Sequence, residues 1–559
     1  MIRTVLVKLL KTSPLFRLVL IPLAFIIFAG LFLVIDVLAH KKPELHLLEP
    51  AIAQSGEVVV IHGDHFGTSP QDNWVEISGD RLSANTILEW EPNRIMVLLP
   101  ETVQDGLVYV ATGAGKSNPL IFANRSNIPV RNVVQTSITF PEITGFNTPR
   151  VETGKRLVIS GKNFGLSRED SRVLFTWQLD PAIPLSPQNR ISQSTIPCSE
   201  TLFEYEFWSD QEIRVRVPDG AASGSVYVQT SRGLSNGEPV QIINQPGKKL
   251  YSDQRTYTVS LNVDITNIAA EDGNMLLLRI PRPVASATQR NIEITRSEPA
   301  PYLENYRGMI FHQFENLRPG RTLSASHTFL VTVYRVETEI TANQVRPYTD
   351  TDSPVYLLYT ASDPVIPSNN PDIILKAAEI LGNEKNPYRK AKLIYDWVTE
   401  TMEWKEHENP NRGVLDALAD TSGSAWDMAL LFTTLARASG IPAIPVAGIV
   451  VDENRESRIH WWAEFYLENF GWVPVDPAMG LGKPVHTPGD NTREWYFGNI
   501  DPYRIAFSRG WTDQKPMTQK SRIVHRPRSY AFQPIWEESG GNLEKYTSFW
   551  GDPRVTGVY

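Results

Sequence analysis

The chain has 559 residues, of which 42% are hydrophobic and 21% are charged, a composition typical of globular proteins and unlike that of disordered or collagen-like chains. This length exceeds what one hydrophobic core can serve, so we expect several domains. The residues after position 42 carry 48 basic and 61 acidic side chains, a net charge of −13. An acidic body excludes nucleic acid as the main partner, because phosphate binding requires a basic surface. Cys198 is the only cysteine, which excludes an intrachain disulfide, a cysteine-ligated zinc site and a Cys-x-x-Cys redox pair.

The first predicted element is a membrane-spanning helix. Residues 18–35 are an uncharged, mostly apolar run, and a span needs about 20 such residues. We therefore predict a cytoplasmic N-terminus at 1–17 and a signal anchor at 18–39. Four cations precede the run and two follow it, so the positive-inside rule exports the rest of the chain. The alternative is a signal peptide cleaved after residues 37–39, although the apolar run is longer than the usual ~7–15 residues. Both alternatives place residues 43–559 outside the cytoplasm.

Two segments of the chain repeat each other. Residues 55–67 (SGEVVVIHGDHFG) match residues 153–165 (TGKRLVISGKNFG), and a later Val-Tyr-Val and Ser-Asn tail also recurs. The second copy carries an insertion that includes Cys198. Apolar runs bounded by Gly and Pro predict antiparallel strands of small β-sandwiches. In the Gly-x-x-Phe-Gly turn, we expect the glycines to adopt positive φ and the Phe to close the end of the core.

The repeat resembles the immunoglobulin-like IPT/TIG family over residues 45–123 and 137–245. The resemblance implies two tandem sandwiches that act as spacers or binding modules. No catalytic constellation is evident in them, and we interpret His62 and His65, which flank the turn, as surface residues.

A third β-sandwich is predicted for residues 249–345. Tyr257, Val259 and Leu261 alternate with polar residues, a pattern typical of half-buried strands.

Helices are predicted after residue 365. Asn-Pro pairs begin two of them at Pro371 and Pro387, and a third spans about 425–439. Strands are expected at about 445–451, 459–467 and 472–476.

A group of residues in this last region points to hydrolase-like chemistry. The strand at 459–467 places His460, Trp462 and Glu464 on one face. An antiparallel hairpin would bring Asp476 near His460, and a carboxylate beside an imidazole fixes its tautomer and raises its basicity. A nucleophile at the N-terminus of a neighbouring helix would complete a triad, because the helix field lowers a thiol's pKa.

These motifs resemble the transglutaminase-like (papain-like) superfamily, in its branch of exported bacterial and archaeal proteins. The family's central-helix motif lies at 423–432, Arg-Ala-x-Gly-Ile-Pro-Ala at 437–443, His-x-Trp-x-Glu at 460–464 and Trp-Val-Pro-Val-Asp-Pro at 472–477. The resemblance implies an α+β papain-like domain over 365–510, followed by a C-terminal extension at 511–559. It also implies a bacterial cell membrane, with the body periplasmic or extracellular, and a site that needs no cofactor. We expect no metal site, because His460, Glu464 and Asp476 lack a second histidine at ligand spacing.

The nucleophile position is the one departure from the family pattern. No gap is needed between residues 423 and 443, so the family's cysteine aligns with Ala425. Ser424 lies one residue earlier and pairs with Asp427 at capping-box spacing, so we interpret it as a helix cap. His460 and Asp476 then become a vestigial dyad.

The sequence leaves three functions open. The leading hypothesis is a membrane-anchored envelope protein whose transglutaminase-like domain binds or scaffolds, with a peptide, a protein or a glycan as ligand. The candidate ligand cleft is lined by Ser424, Trp426, Trp461, Trp462 and Trp472. The first alternative is an amidase- or peptidase-like hydrolase that uses Ser424, or another group, with His460 and Asp476. The second alternative is a structural spacer or adhesin-like surface protein.

Overall fold

The computed structural model describes residues 41–559 except for residues 72, 101, 126–138, 186–189, 245, 408, 410, 483–484, 487–490, 512–513 and 518–520. The chain divides into two compact units, the first made mainly of residues up to 130 and the second mainly of residues from 131 on. The expected anchor at 18–39 and the segment 1–17 lie outside the described residues. Within the described ranges, no helix is long and apolar enough to cross a membrane.

The first unit is a two-sheet β-sandwich built from the first copy of the repeat. Its strands are β1 (Glu44–Glu49), β2 (Ile52–Ala53), β3 (Val58–Asp64), β4 (Trp74–Ile77), β5 (Asp80–Arg81), β6 (Ile87–Glu91), β7 (Arg94–Leu98), β8 (Gly106–Thr112), β9 (Gly115–Lys116) and β10 (Leu120–Asn124). One sheet has the order β1-β3-β7-β6 and the other β2-β10-β8-β4-β5, with β9 paired to β8. The alternating apolar residues of both sheets face one shared core.

The second copy forms a sandwich with the same strand order. Its elements are β11 (Glu142–Phe146), β12 (Arg150–Glu152), β13 (Arg156–Lys162), β14 (Arg172–Trp177), α1 (Arg190–Ser194), β15 (Thr195–Pro197), β16 (Tyr205–Trp208), β17 (Glu212–Arg216), β18 (Ala221–Thr230), β19 (Gly233–Leu234) and β20 (Glu238–Ile243). The sheets run β11-β13-β17-β16 and β12-β20-β18-β14-β15, with β19 paired to β18. The insertion lengthens the connection between β14 and β15 and supplies α1, while β15 occupies the place of β5 in the sheet.

The Gly-x-x-Phe-Gly turn has the same role in both sandwiches. A Cβ on Gly63 would lie 2.0 Å from a carbonyl oxygen of the facing strand, and one on Gly161 would lie 2.2 Å from its counterpart. Phe66 and Phe164 are fully buried beneath these glycines. The first glycine is therefore required for close approach. Of the two glycines, only the one that ends the motif has positive φ, +79° and +96° in the two copies, and His65 and Asn163 within the motif share the left-handed region.

Residues 249–345 form one folded sheet instead of the two separate sheets expected for a third sandwich. Its strands are β21 (Gly247–Pro281), β22 (Gln289–Glu298), β23 (Leu303–Tyr306), β24 (Met309–Glu315) and β25 (Leu323–Ile340). The first half of the 35-residue β21 pairs with β25 and the second half with β24. Both halves face one core, across which the Nε2 atoms of His312 and His327 lie 3.0 Å apart. Residue alternation predicted the buried face of the first half of β21, but it does not report that this strand crosses both layers.

The last domain packs helices against a small antiparallel sheet. Its elements are α2 (Pro354–Thr360), α3 (Pro371–Leu381), α4 (Pro387–Thr401), β26 (Glu403–Trp404), α5 (Val414–Asp420), β27 (Ser422–Gly423), α6 (Ala425–Ala438), β28 (Ala443–Val451), β29 (Ser457–Leu467), β30 (Gly471–Val475), α7 (Pro477–Gly480), α8 (Thr492–Trp495) and β31 (Arg504–Arg509). The sheet order is β30-β29-β28-β31. Helix α6 is central, since all of its residues except the last are buried.

The C-terminal extension belongs to the folded sheet. Its strands are β32 (Arg522–Val524), β33 (Glu537–Trp550) and β34 (Arg554–Val558), and both β33 and β34 pair with β21. The predicted boundary at 511 therefore does not separate an independent appendage, because these strands complete a sheet that begins more than two hundred residues earlier.

Candidate functional site

The N-terminus of α6 is capped by Ser424. The Asp427 carboxylate accepts hydrogen bonds from the Ser424 backbone N–H at 3.0 Å and from its hydroxyl at 3.2 Å. This is the capping arrangement expected from the spacing of the two residues. The hydroxyl proton of Ser424 is therefore directed to a carboxylate on its own helix.

Ala425 is the first residue of α6 and is 3% exposed. Backbone N–H groups at a helix N-terminus create a positive field that would lower the pKa of a thiol at this position. A methyl group gains nothing from that field.

His460 and Asp476 meet across the hairpin of β29 and β30. The Nε2 atom of His460 lies 2.7 Å from Oδ2 of Asp476, and both side chains are buried. Asp476 follows β30 and caps α7, where its Oδ1 accepts from the backbone N–H of Met479 at 3.0 Å. The ring of His460 is oriented by this hydrogen bond at Nε2 and by stacking on Trp462, with the ring centroids 6.2 Å apart.

A buried arginine shares the carboxylate with the histidine. Arg504 on β31 donates from Nη1 to Oδ2 of Asp476 at 2.7 Å and also pairs with Asp501. Burial alone would raise the pKa of Asp476, but His460 and Arg504 lower it to about 2. Burial likewise opposes the charge of Arg504, and the two carboxylates outweigh it and raise the pKa of the guanidinium. Asp476 is thus a charged group held by two partners.

The candidate aromatic residues separate into two groups. Trp426 and Trp461 meet edge to face at the N-terminus of α6, with their ring centroids 5.5 Å apart. Trp462 joins the core shared with the second sandwich. Trp472 packs edge to face against Tyr359, at 5.2 Å. Only the first pair therefore lies at the helix terminus. Trp462 also stacks on the ring of His460, with the centroids 6.2 Å apart, and Arg504 lies over its face, whereas the contacts of Trp472 are those of a core residue.

A segment of the C-terminal extension crosses the N-terminus of α6; we call residues 528–532 the C-terminal strap. Arg528 donates to Oδ1 of Asp427 at 2.9 Å. The carbonyl oxygen of Ser529 accepts from Nε1 of Trp461 at 3.1 Å. Phe532 is 1% exposed, and its ring centroid lies 5.0 Å from that of Trp426. The strap thus occupies the aromatic wall expected to be open to a ligand.

The strap was not predicted from the sequence. Its aromatic residues lie about one hundred positions after the helix that they cover, and no local pattern specifies such a long-range contact. The only available signal was the apolar run at 530–532, which is too short to specify a partner.

The other reactive groups do not join the site. Cys198 is buried in the second sandwich, where its thiol contacts the carbonyl oxygen of Arg216 at 3.7 Å, and burial raises its pKa well above the usual value. Glu464 forms an ion pair with Arg509. The described part of the chain contains no group of three or more His, Cys, Asp or Glu residues placed to hold a metal ion.

Part of the chain is similar to known proteins. Residues 376–477 match the family model of the transglutaminase-like superfamily. An uncharacterized protein of Haemophilus influenzae is 31% identical over 165 residues, which cover 23% of this chain and 44% of that protein. The chain thus spans less than half of the relative's length.

Two solved structures are also similar. A candidate cysteine protease from Cytophaga hutchinsonii aligns with 56% of this chain and 91% of its own, at 15% identity and a TM-score of 0.35. The periplasmic domain of TgpA from Pseudomonas aeruginosa, bound to ethylmercury, aligns with 37% and 90%, at 17% identity and a TM-score of 0.22. The family model carries the assignment: the chain contains a transglutaminase-like domain.

Proposed function

We propose that the transglutaminase-like domain is not catalytic and that the protein is a membrane-anchored, extracytoplasmic binding or scaffolding protein of the cell envelope. One observation carries the proposal. The residue at the start of α6 is Ala425, while His460 and Asp476 keep the contact that a catalytic pair needs. A methyl group cannot attack a carbonyl carbon, and loss of the nucleophile alone removes nearly all covalent catalysis in such a unit.

Cys198 does not replace the missing nucleophile. It lies in the core of the second sandwich, and its thiol is protonated at neutral pH because burial raises its pKa. The thiolate is the reactive form of cysteine, so this residue supports no attack on an amide.

The contacts of Ser424 argue against the serine-hydrolase alternative. Its hydroxyl donates to Asp427, and the same carboxylate receives Arg528 of the C-terminal strap. A serine nucleophile needs its proton directed to a general base such as His460, which is not the contact observed.

The position of the C-terminal strap favours a scaffolding role over ligand binding in the candidate cleft at the N-terminus of α6. Phe532 covers Trp426, and Ser529 takes the hydrogen bond of Trp461, so the chain itself supplies the contacts that a ligand would make. Any peptide, protein or glycan ligand would then bind elsewhere, and the two sandwiches, which resemble IPT/TIG modules, are the first place to test. Residues 18–39 would hold the body at the membrane.

The test is reactivity of the purified full chain toward amides and alkylating agents. We expect no hydrolysis or cross-linking of amide substrates and no alkylation of native Cys198 by iodoacetamide. In a Cys198→Ser background, an Ala425→Cys thiol should be alkylated at pH 6, because the helix N-terminus favours its thiolate, and we expect His460 to add to this effect. A further His460→Ala change should slow this alkylation. Hydrolysis by the unmodified chain that disappears on Ser424→Ala would contradict the proposal and support the serine alternative.

A further inference from the structure

Two buried histidines face each other in the core of the folded sheet. The Nε2 atom of His312 on β24 lies 3.0 Å from that of His327 on β25, and each residue is 1% exposed. Because β24 pairs with the second half of β21 and β25 with the first half, this contact joins the two layers of the sheet. Nδ1 of His327 also lies 2.9 Å from the hydroxyl of Ser297 on β22. The ring of His312 stacks on Phe314, with the centroids 5.6 Å apart.

No charged group compensates this pair among the described residues. On β21, the residues in register with the two histidines are Leu278 and Leu261, and β25 carries no charged residue between positions 323 and 334. The charged side chains that flank these positions have other partners, namely Arg296 with Glu298 on β22, Glu315 with Gln313 on β24, and Arg279 of β21 with Glu538 of β33. Burial lowers the pKa of His312 to about 4, and burial together with the neighbouring ring lowers the pKa of His327 to about 3. Both rings are therefore neutral at pH 7.

The core that the histidines face also holds the C-terminal strap. Tyr530 and Ala531 of the strap belong to this core. Strand β33 follows the strap and pairs with the second half of β21, so that Leu278 lies in register between His312 of β24 and Glu537 of β33. The layer that carries His312 is therefore the layer to which the strap is attached.

We propose that the His312–His327 pair is an acid-sensitive latch, whose protonation releases the C-terminal strap from the N-terminus of α6. A proton on either ring places a charge in an apolar core without a carboxylate, and protons on both rings place two like charges 3.0 Å apart. Separation of the two layers hydrates the rings and removes both costs. The aromatic wall of Trp426 and Trp461 is then open to a ligand. This inference goes beyond the proposed function, in which the strap stays closed, and it does not depend on the loss of the nucleophile.

The direction of the pH dependence follows from the two histidines. A histidine whose pKa is lowered in the folded state adds stability above its ordinary pKa of 6.5, and this stability is lost as the pH falls toward the folded pKa. The equilibrium constant for opening should therefore rise by roughly 20-fold for each histidine between pH 7 and pH 5. Asp476 adds nothing in this range, since its pKa is about 2. Glu204 in the second sandwich, whose pKa burial raises to about 8, stabilises its own domain as the pH falls, so the test must report on the strap itself.

The test measures the exposure of the strap with a dipyridyl disulfide, a thiol reagent that also reacts at acidic pH. In a Cys198→Ser background of the full chain, Ala531→Cys places a thiol in the strap at a position that is 4% exposed. Ala378→Cys, at an exposed position of α3, is the matched control that corrects for the pH dependence of the reagent. The ratio of the two reaction rates should rise at least 20-fold from pH 7 to pH 5, the effect of one histidine.

Replacing both histidines separates the latch from a general sensitivity to acid. The double change His312→Gln and His327→Gln keeps hydrogen-bonding groups that cannot be protonated, so the rate ratio should change less than threefold between pH 7 and pH 5. His62→Gln, in the first unit, is the matched control and should keep the rise seen in the parent. A rate ratio that stays constant in the parent background, or a full rise that persists in the double variant, would overturn the proposal.

A second measurement needs no variant and applies if a substituted chain fails to fold. Hydrogen exchange at the Cε1 atoms of His312 and His327, followed across pH by peptide mass spectrometry of the unmodified chain, gives the pKa of each ring. We expect both values to lie below 6.5, and backbone exchange of residues 528–532, corrected for pH, to be faster at pH 5 than at pH 7. Ordinary pKa values, or exchange of the strap that does not increase, would overturn the proposal. Neither measurement involves attack on an amide, so failure of this inference is distinguishable from failure of the proposed function.

Discussion

Replacing Asp476 by asparagine tests the buried charge network most sharply. In the native chain its Oδ2 faces both Nε2 of His460 and Nη1 of Arg504, each at 2.7 Å. Asp476→Asn keeps the shape of the side chain and removes its charge. Arg504 retains Asp501 as a charged partner, whereas His460 keeps only a neutral amide as its partner.

The size of the effect follows from the pKa of this carboxyl. A pKa lowered from 3.8, the ordinary value of an aspartate, to about 2 corresponds to about 2 kcal/mol of stability from ionisation at neutral pH, because one pKa unit is about 1.36 kcal/mol. Breaking a buried ion pair by removing one partner costs about 3–5 kcal/mol. We therefore expect Asp476→Asn to lower the free energy of unfolding of the second unit by about 2–5 kcal/mol at pH 7.

The effect should depend on pH in a defined direction. A carboxyl whose pKa is depressed in the folded state adds stability above its unfolded pKa, and this stability is lost as the pH falls through the folded pKa. The difference between parent and Asp476→Asn should therefore be constant from pH 7 to about pH 4 and should shrink between about pH 4 and pH 2.

The assay is urea unfolding at several pH values, with hydrogen exchange of β29 and β30 identifying the transition to which the hairpin belongs. Glu453→Gln, at an exposed turn between β28 and β29, is the matched control and should change stability by less than about 0.5 kcal/mol. The reasoning would be refuted if Asp476→Asn lowered the free energy of unfolding by less than the control variant does. It would also be refuted if the loss stayed constant down to pH 2.

Three further outcomes are expected. Phe532→Ala should lower stability by about 3–5 kcal/mol in urea unfolding, because the ring is fully buried against Trp426; a loss below about 1 kcal/mol would mean that the strap does not hold the site closed. Lys249→Met should cost about 1–3 kcal/mol, because it leaves the partly buried Asp219 and the carbonyl oxygen of Trp472 without their charged donor, and an unchanged urea midpoint would show that these contacts are not coupled to folding. A reporter fused after Tyr559 should be active outside the cytoplasm while the protein stays with membranes after a high-salt wash; release of a soluble species that begins near residue 40 would favour the signal peptide.

The parts of the fold that local chemistry specifies could be predicted from the sequence. Asn370 and Asn386 each precede a proline and each cap a helix, with Oδ1 accepting a backbone N–H of the first turn. The tandem repeat predicted two sandwiches, and the structure gives them the same strand order. The contact of His460 with Asp476 followed from the short turn between their strands, because a hairpin fixes register over a few residues.

The parts that depend on distant segments could not be predicted. Ile374 shares the apolar pattern of its helix yet is 48% exposed, because periodicity assigns residues to a face without saying how far the neighbouring elements extend. Trp462 stacks on His460, as their shared strand face predicts, but it also joins the core of the second sandwich, which the strand pattern does not report. The strap over Trp426 and the strands that complete the folded sheet both come from the last fifty residues. Their pairing depends on tertiary packing, which leaves no local signature.

The central claim is that no group at the N-terminus of α6 attacks an amide carbonyl. The most direct measurement is intact mass spectrometry of the full chain after incubation with an excess of glutamine-containing peptides, in the presence and absence of a primary amine. The proposal predicts an unchanged protein mass and unmodified peptides, since Ala425 offers no nucleophile and Ser424 is engaged with Asp427. A covalent acyl adduct that maps to Ser424, or peptide products that disappear on Ser424→Ala, would contradict it.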